Sequence, residues 1–166
     1  MRYQPSSKLR TDMSFRREEW DLLVRLPGRL VVAATLAEPG THRRSVAEGL
    51  AGIEAVAAGR SSMSRLVRDI VTAIYDEPDD DQLPGDERID PVTAVAEVLI
   101  ACRSAAAVLA ERLGREDADA YRHWLESIAT RVCHATRSGE LFGYPGQPVS
   151  ATQRQFLAAL CHALAG

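Results

Sequence analysis

The last third of the chain, Asp117 to Leu164, constrains the fold most. Tyr121, Trp124, Leu125, Ile128, Val132 and Ala135 recur at the spacing of one helical face, and Gly139 follows as a stop. The loop from Glu140 to Val149 holds two glycines and two prolines. Ser150-Ala-Thr-Gln153 then reads as a capping box, in which the serine and glutamine side chains satisfy each other's backbone N–H groups. Phe156, Leu157, Leu160, Cys161 and Leu164 continue as a second apolar stripe. A helix, a stop, a loop and a capped second helix commit this segment to helix-on-helix packing.

A fainter version of the layout lies between Leu22 and Val56. Leu30 to Ala37 is apolar nearly all round, apart from Thr35, and reads as a buried helix. It ends at the turn Glu38-Pro39-Gly40. Ser45-Val-Ala-Glu48 reads as a capping box, and Val46, Leu50, Ile53 and Ala57 as the core face of the helix that follows. Gly49 and Gly52 weaken that helix but permit close approach of a neighbour, and Gly59 is a natural stop. Upstream, Ser14 reads as a cap with Glu18 and Glu19 in the first turn, and Phe15, Leu22, Leu23 and Leu26 on one side. At Pro27-Gly28 either a new helix starts or a long one kinks.

The middle of the chain adds two more helices. Met63, Leu66, Val67, Ile70, Ala73 and Ile74 form a stripe ending near Asp76. Asp90-Pro91, a cap followed by proline in the first turn, opens the longest helix. Val92, Val95, Ala96, Leu99, Cys102, Ala106, Leu109 and Leu113 line it, Val98, Ala105 and Val108 widen the stripe, and Gly114 ends it. The fold class expected is all-α: a single bundle of about seven helices if Pro27 divides the first pattern. The two helix–loop–helix units read either as an internal repeat or as the ordinary joints of a helical protein. Residues 1–13 read as a loose arm and residues 14–166 as one domain, with an acidic loop at 76–90.

Composition agrees. A chain of 166 residues can bury a core of its own, and with only 5% aromatics that core is aliphatic and alanine-rich, which suits packed helices. Runs of β-branched residues, the usual strand signal, are absent. Lys8 is the only lysine, as expected of a GC-rich genome. The net charge of −3 gives no general drive toward nucleic acid. Residues 76–90 hold eight acids and one base, so the remainder carries −3 + 7 = +4. Three cysteines without a CxxC pair or a secretory leader point to reduced thiols and a cytoplasmic location. The longest apolar stretch, Leu30 to Ala37, is far short of the ~20 residues of a membrane span.

Leu30 to Gly40 leading to Ser45, and Ile128 to Gly139 leading to Ser150, resemble the tellurite-resistance TerB-like family of small all-helical proteins. There a helix runs into an Ala-Asp-Gly-type turn and then into a Ser-x-x-Glu-started helix. The resemblance covers about residues 20–60 and 118–164. It implies a compact helical bundle linked to metal or chemical stress, with acids near the two turns able to bind a divalent cation. The turn acid is Glu38 in the first copy; the second has Ser138 there and Glu140 displaced. The box acid is Glu48 in the first copy and neutral Gln153 in the second. Hard cations need about six oxygen ligands, so Glu38 and Glu48 alone make a thin site beside their ordinary roles in turn and cap.

The remaining chemistry is sparse. His123 and His134 share a face but stand ~16 Å apart along a helix, too far for one ion. Cys133-His134 and Cys161-His162 repeat a dipeptide, yet adjacent helical residues diverge by ~100° and do not chelate zinc readily. Buried structural thiols are the plain reading for Cys102, Cys133 and Cys161. The acidic loop lacks the ligand spacing of a calcium loop and reads as solvated linker. No phosphate loop, HExxH or GxSxG occurs. No catalytic residue, cofactor or metal set is therefore assigned. The expected function is a non-enzymatic binding or scaffold module with a protein partner or self-association, including a dimer that buries an apolar helix. The alternative is a small helical enzyme or ligand-binding protein with a pocket near Phe142 to Pro148, lined by Phe142, Tyr144 and Trp124.

Overall fold

The computed structural model describes residues 15–38, 40–76, 89–135 and 149–166. These form α1 (Arg17–Leu36), α2 (His42–Ala58), a 3-10 turn (Gly59–Ser61), α3 (Arg65–Asp76), α4 (Pro91–Arg112), α5 (Arg115–His134) and α6 (Ala151–Ala165). The bundle is all-helical, with no strand among the described residues. The arm at 1–13, the Ser14 cap, most of the acidic loop and the Phe142 to Pro148 pocket lie outside them.

Among the described residues there are six α-helices where seven were expected, because Pro27 sits inside α1 and does not divide it. Proline lacks the N–H that would bond to the carbonyl four residues back, here that of Leu23. That carbonyl is not left bare. The Tyr121 hydroxyl, from α5, donates to it at 2.9 Å, and both groups are buried. A tertiary hydrogen bond thus stands in for the missing helical one.

Two helix starts follow the sequence. The Asp90 carboxylate accepts from Thr93 N–H at 2.9 Å, with Pro91 in the first turn of α4. Ser150 accepts from Gln153 N–H at 3.1 Å while the Gln153 amide oxygen accepts from Ser150 N–H at 3.2 Å, so the second capping box forms. The first does not. Thr41 caps α2, accepting from Arg44 N–H at 3.4 Å, and Ser45 lies inside the first turn with its own N–H on the Thr41 carbonyl. Threonine is a cap residue too, and starting there lengthens the helix. Glu48 is then drawn to Arg44 rather than back to Ser45.

α1 packs against α2, α3, α4 and α5, and α4 lies between α1 and α6. Leu23, Leu26, Leu30, Ile70, Leu125, Ile128 and Leu160 are fully enclosed. Arg112 ties the end of α4 to the start of α1 through Glu19 at 2.9 Å. Ser64, just before α3, donates to Asp117 in the first turn of α5 at 2.8 Å.

Several stripe residues face solvent instead of the core. Met63, Val92 and Val32 are exposed, so the segment from Leu30 is buried only on one side. The largest departure is α2: Val46, Leu50 and Ile53, expected inside, are 49%, 58% and 57% exposed. Glu48, Gly52, Ala55 and Val56 occupy the inner face. The reason is close packing. A methyl group on Gly52 would stand 2.5 Å from Val31 and 3.0 Å from Val132, so α2 reaches α1 and α5 through its smallest residues. Beyond Ala58 the chain tightens to 3-10, which leaves the Ala55 carbonyl free to accept from the Trp124 ring N–H at 3.3 Å. Trp124 therefore seals α5 onto α2.

By length and composition α4 alone among the described helices could cross a membrane. It also supplies Val98, Cys102, Ala105 and Leu109 to the core, as the central helix of a bundle does.

Candidate functional site

The two acids singled out by the sequence meet in space, with an arginine between them. Arg44 lies 2.8 Å from Glu48 and 3.3 Å from Glu38. Spacing of four residues on one helix brings Arg44 under Glu48, and the turn after α1 delivers Glu38. Glu48 is 1% exposed, and its second carboxylate oxygen has no hydrogen-bond partner. Burial raises its pKa, with Arg44 opposing. The Glu38 carboxyl is held below its ordinary range, first by the Ser150 hydroxyl and then by Arg44. Glu38, just after α1, and Ser150, the cap of α6, thus lie at one end of the bundle. There the guanidinium supplies the positive charge that a cation site would have to bring. No group of three metal-ligating side chains occurs among the described residues.

The cysteines split. Cys102 and Cys133 are buried, with thiols pushed up by burial to about 12 and about 11. Cys161, expected on the apolar stripe, is exposed; its pKa too is raised, by burial first and then by Glu126. A raised pKa keeps a thiol protonated and a poor nucleophile. His123 is exposed and His134 half-buried, on one helix, as their spacing predicts.

A groove of about 660 Å³ lies where α4, α5 and the last turn of α6 converge. Its floor includes Leu109, Ala110 and Ala118, and Arg103, Arg115 and Arg122 flank it with one acid, Asp119. Asp119 pairs with Arg122 at 3.3 Å. The groove is at the C-terminal end of α6, ~22 Å along that helix from its cap Ser150. The pocket expected at Phe142 to Pro148 lies outside the described residues. Trp124 does not line the groove.

The outer face of α2 is the more constrained feature. Val46, Leu50 and Ile53 stand at i, i+4 and i+7 and form one aliphatic row on a helix whose other side is already packed. Between them Gly49 has no atom within 4 Å of the place a methyl group would take. Gly52 is explained by the close approach of α1 and α5; nothing among the described residues explains Gly49. α4 also exposes Val92 and Ile100, but Thr93, Glu97 and Arg103 border that row with polar groups.

No protein-family model, curated protein or solved structure matches this chain. The site is therefore argued from its own residues. Arg44 and the outward turn of α2 were missed in the sequence. The Arg44–Glu48 spacing was a usable signal for the first. The second had none, because a stripe alone does not say which side of a helix its neighbours take.

Proposed function

We propose that this protein is a non-enzymatic helical binding or scaffold module that engages an aliphatic helix face of another protein chain through α2. The supporting observation is the row Val46, Leu50 and Ile53, half or more exposed on a helix that is anchored by its opposite face. Scattered apolar residues are normal on a surface, but an aligned aliphatic row is what helix-in-groove recognition reads. A photo-crosslinking side chain at position 50 of the full chain tests this in cells. Adducts with a protein at position 50, and none at exposed Gln155 on α6, are expected. No adduct at position 50 overturns the reading.

A stress-related role of TerB-like kind has narrower support: the Ser150 box and the meeting of Glu38 with Glu48. Since Arg44 already occupies the space between those acids, millimolar Ca²⁺ or Mg²⁺ is expected to leave the melting temperature unchanged. A clear rise would restore the cation reading.

A ligand-binding reading is favoured by one observation, the three arginines around an apolar floor. That chemistry suits an amphipathic carboxylate. Calorimetry with decanoate, against Arg103→Ala/Arg115→Ala, tests it; equal heats for both proteins remove it.

A further inference from the structure

We infer that the occupant of the α2 face is α2 of a second copy of this chain, laid antiparallel across a twofold axis that passes between Gly49 and Leu50. The inference rests on the reading of α2 as a docking face and names its partner. Two helices related by a twofold axis place residues equally far from the axis opposite each other. Val46 of one copy then faces Ile53 of the other, and the two Leu50 side chains meet beside the axis. Gly49, also beside the axis, places no side chain between the backbones on that flank. The space left open beside it by the described residues is the space the second helix would take.

The charges agree with the antiparallel sense. Arg43 and Glu54 are both exposed, lie on the same flank of the row and sit towards opposite ends of α2. Neither has an ion-pair partner among the described residues. Antiparallel pairing brings Arg43 of each copy beside Glu54 of the other, twice per dimer. Parallel pairing would put this flank of the two copies on opposite sides of the interface, where Arg43 and Glu54 could not meet. The 17 residues of α2 make a strip ~26 Å long. One such strip is smaller than the ~800 Å² per partner of a standard interface, so the dimer is a reversible one.

Sedimentation velocity of the full chain, from roughly micromolar to millimolar concentration, tests the inference. The wild-type protein is expected to pass from monomer to dimer. Leu50→Asp puts two carboxylates together at the axis and is expected to abolish the dimer. Leu50 is more than half exposed in the single chain, so the melting temperature of the dilute protein should hold. Gly49→Leu fills the approach and should weaken dimerisation at least about tenfold while leaving the monomer folded. Arg43→Glu and Glu54→Arg should each weaken the dimer, and the double swap should restore it. A wild-type monomer at every concentration, a dimer indifferent to Leu50→Asp, or a double swap no better than its parents overturns the inference. If the position-50 crosslink then captures a different protein, the binding-module reading stands and only the self-association falls. If it captures nothing, both fall.

Discussion

At the residue scale the most informative contact is the Tyr121 hydroxyl on the Leu23 carbonyl. Proline in a helix interior costs about 3 kcal/mol, partly through the orphaned carbonyl. Tyr121 is fully buried, and burial raises its pKa well above the ordinary value, so the hydroxyl remains a donor at any ordinary pH. Tyr121→Phe is expected to cost about 1–3 kcal/mol by stranding that carbonyl. In a Pro27→Ala background the helix supplies its own donor, and the same change should cost markedly less. Urea denaturation of the four proteins in the cycle measures the difference; equal costs in both backgrounds would show that Tyr121 does not serve the proline.

Arg44 is the second such residue. Burial raises the Glu48 pKa, so the Glu48 contribution to stability is complete below the ordinary carboxylate range and is lost as pH rises through the raised value. Glu38 runs the other way: its lowered pKa gives stability above the ordinary range, lost as pH falls through the lowered value. Arg44 offsets the first loss and supports the second gain, and both effects need ionised carboxyls. Arg44→Ala should therefore cost about 3 kcal/mol near neutrality, where it leaves a buried carboxylate unpaired. The deficit should shrink towards pH ~4 as the carboxyls take up protons. Denaturant midpoints at the two pH values check the sign.

At the element scale, two serines with the same local pattern behave differently. Ser150 caps α6, and Ser45 sits one turn inside α2, behind Thr41. Ser150→Ala is expected to lower stability by about 1 kcal/mol and Ser45→Ala by no more than a few tenths. Thermal melts of the two variants side by side test the assignment of both helix starts. A capping box is a pattern of four residues, and α2 shows its limit: Thr41 offered a cap four residues earlier, and Glu48 found a stronger partner in Arg44. The same helix shows the limit of periodicity. The spacing of Val46, Leu50 and Ile53 announced a helical face correctly but not its direction, which Gly52 decided by admitting Val31 and Val132.

At the scale of the whole molecule, burial sorts the cysteines. Cys161 alone is open to a thiol reagent in the folded protein and should react slowly there because its pKa is raised, whereas Cys102 and Cys133 should react only on unfolding. A denaturant titration of accessible thiols gives one below the transition and three above it if the bundle unfolds as a unit.

What the residues determined by themselves was the helical class, the starts at Asp90 and Ser150, and the inward faces of α5 and α6. Each follows from local chemistry: side-chain oxygens near free N–H groups, and long stripes of large apolar side chains. What only the tertiary structure decided was how Pro27 is tolerated, which acids meet around Arg44, and which side of α2 is left bare. Those depend on groups far apart in the chain, since a hydrogen bond from Tyr121 or a methyl-sized gap at Gly52 exists only once the helices have packed.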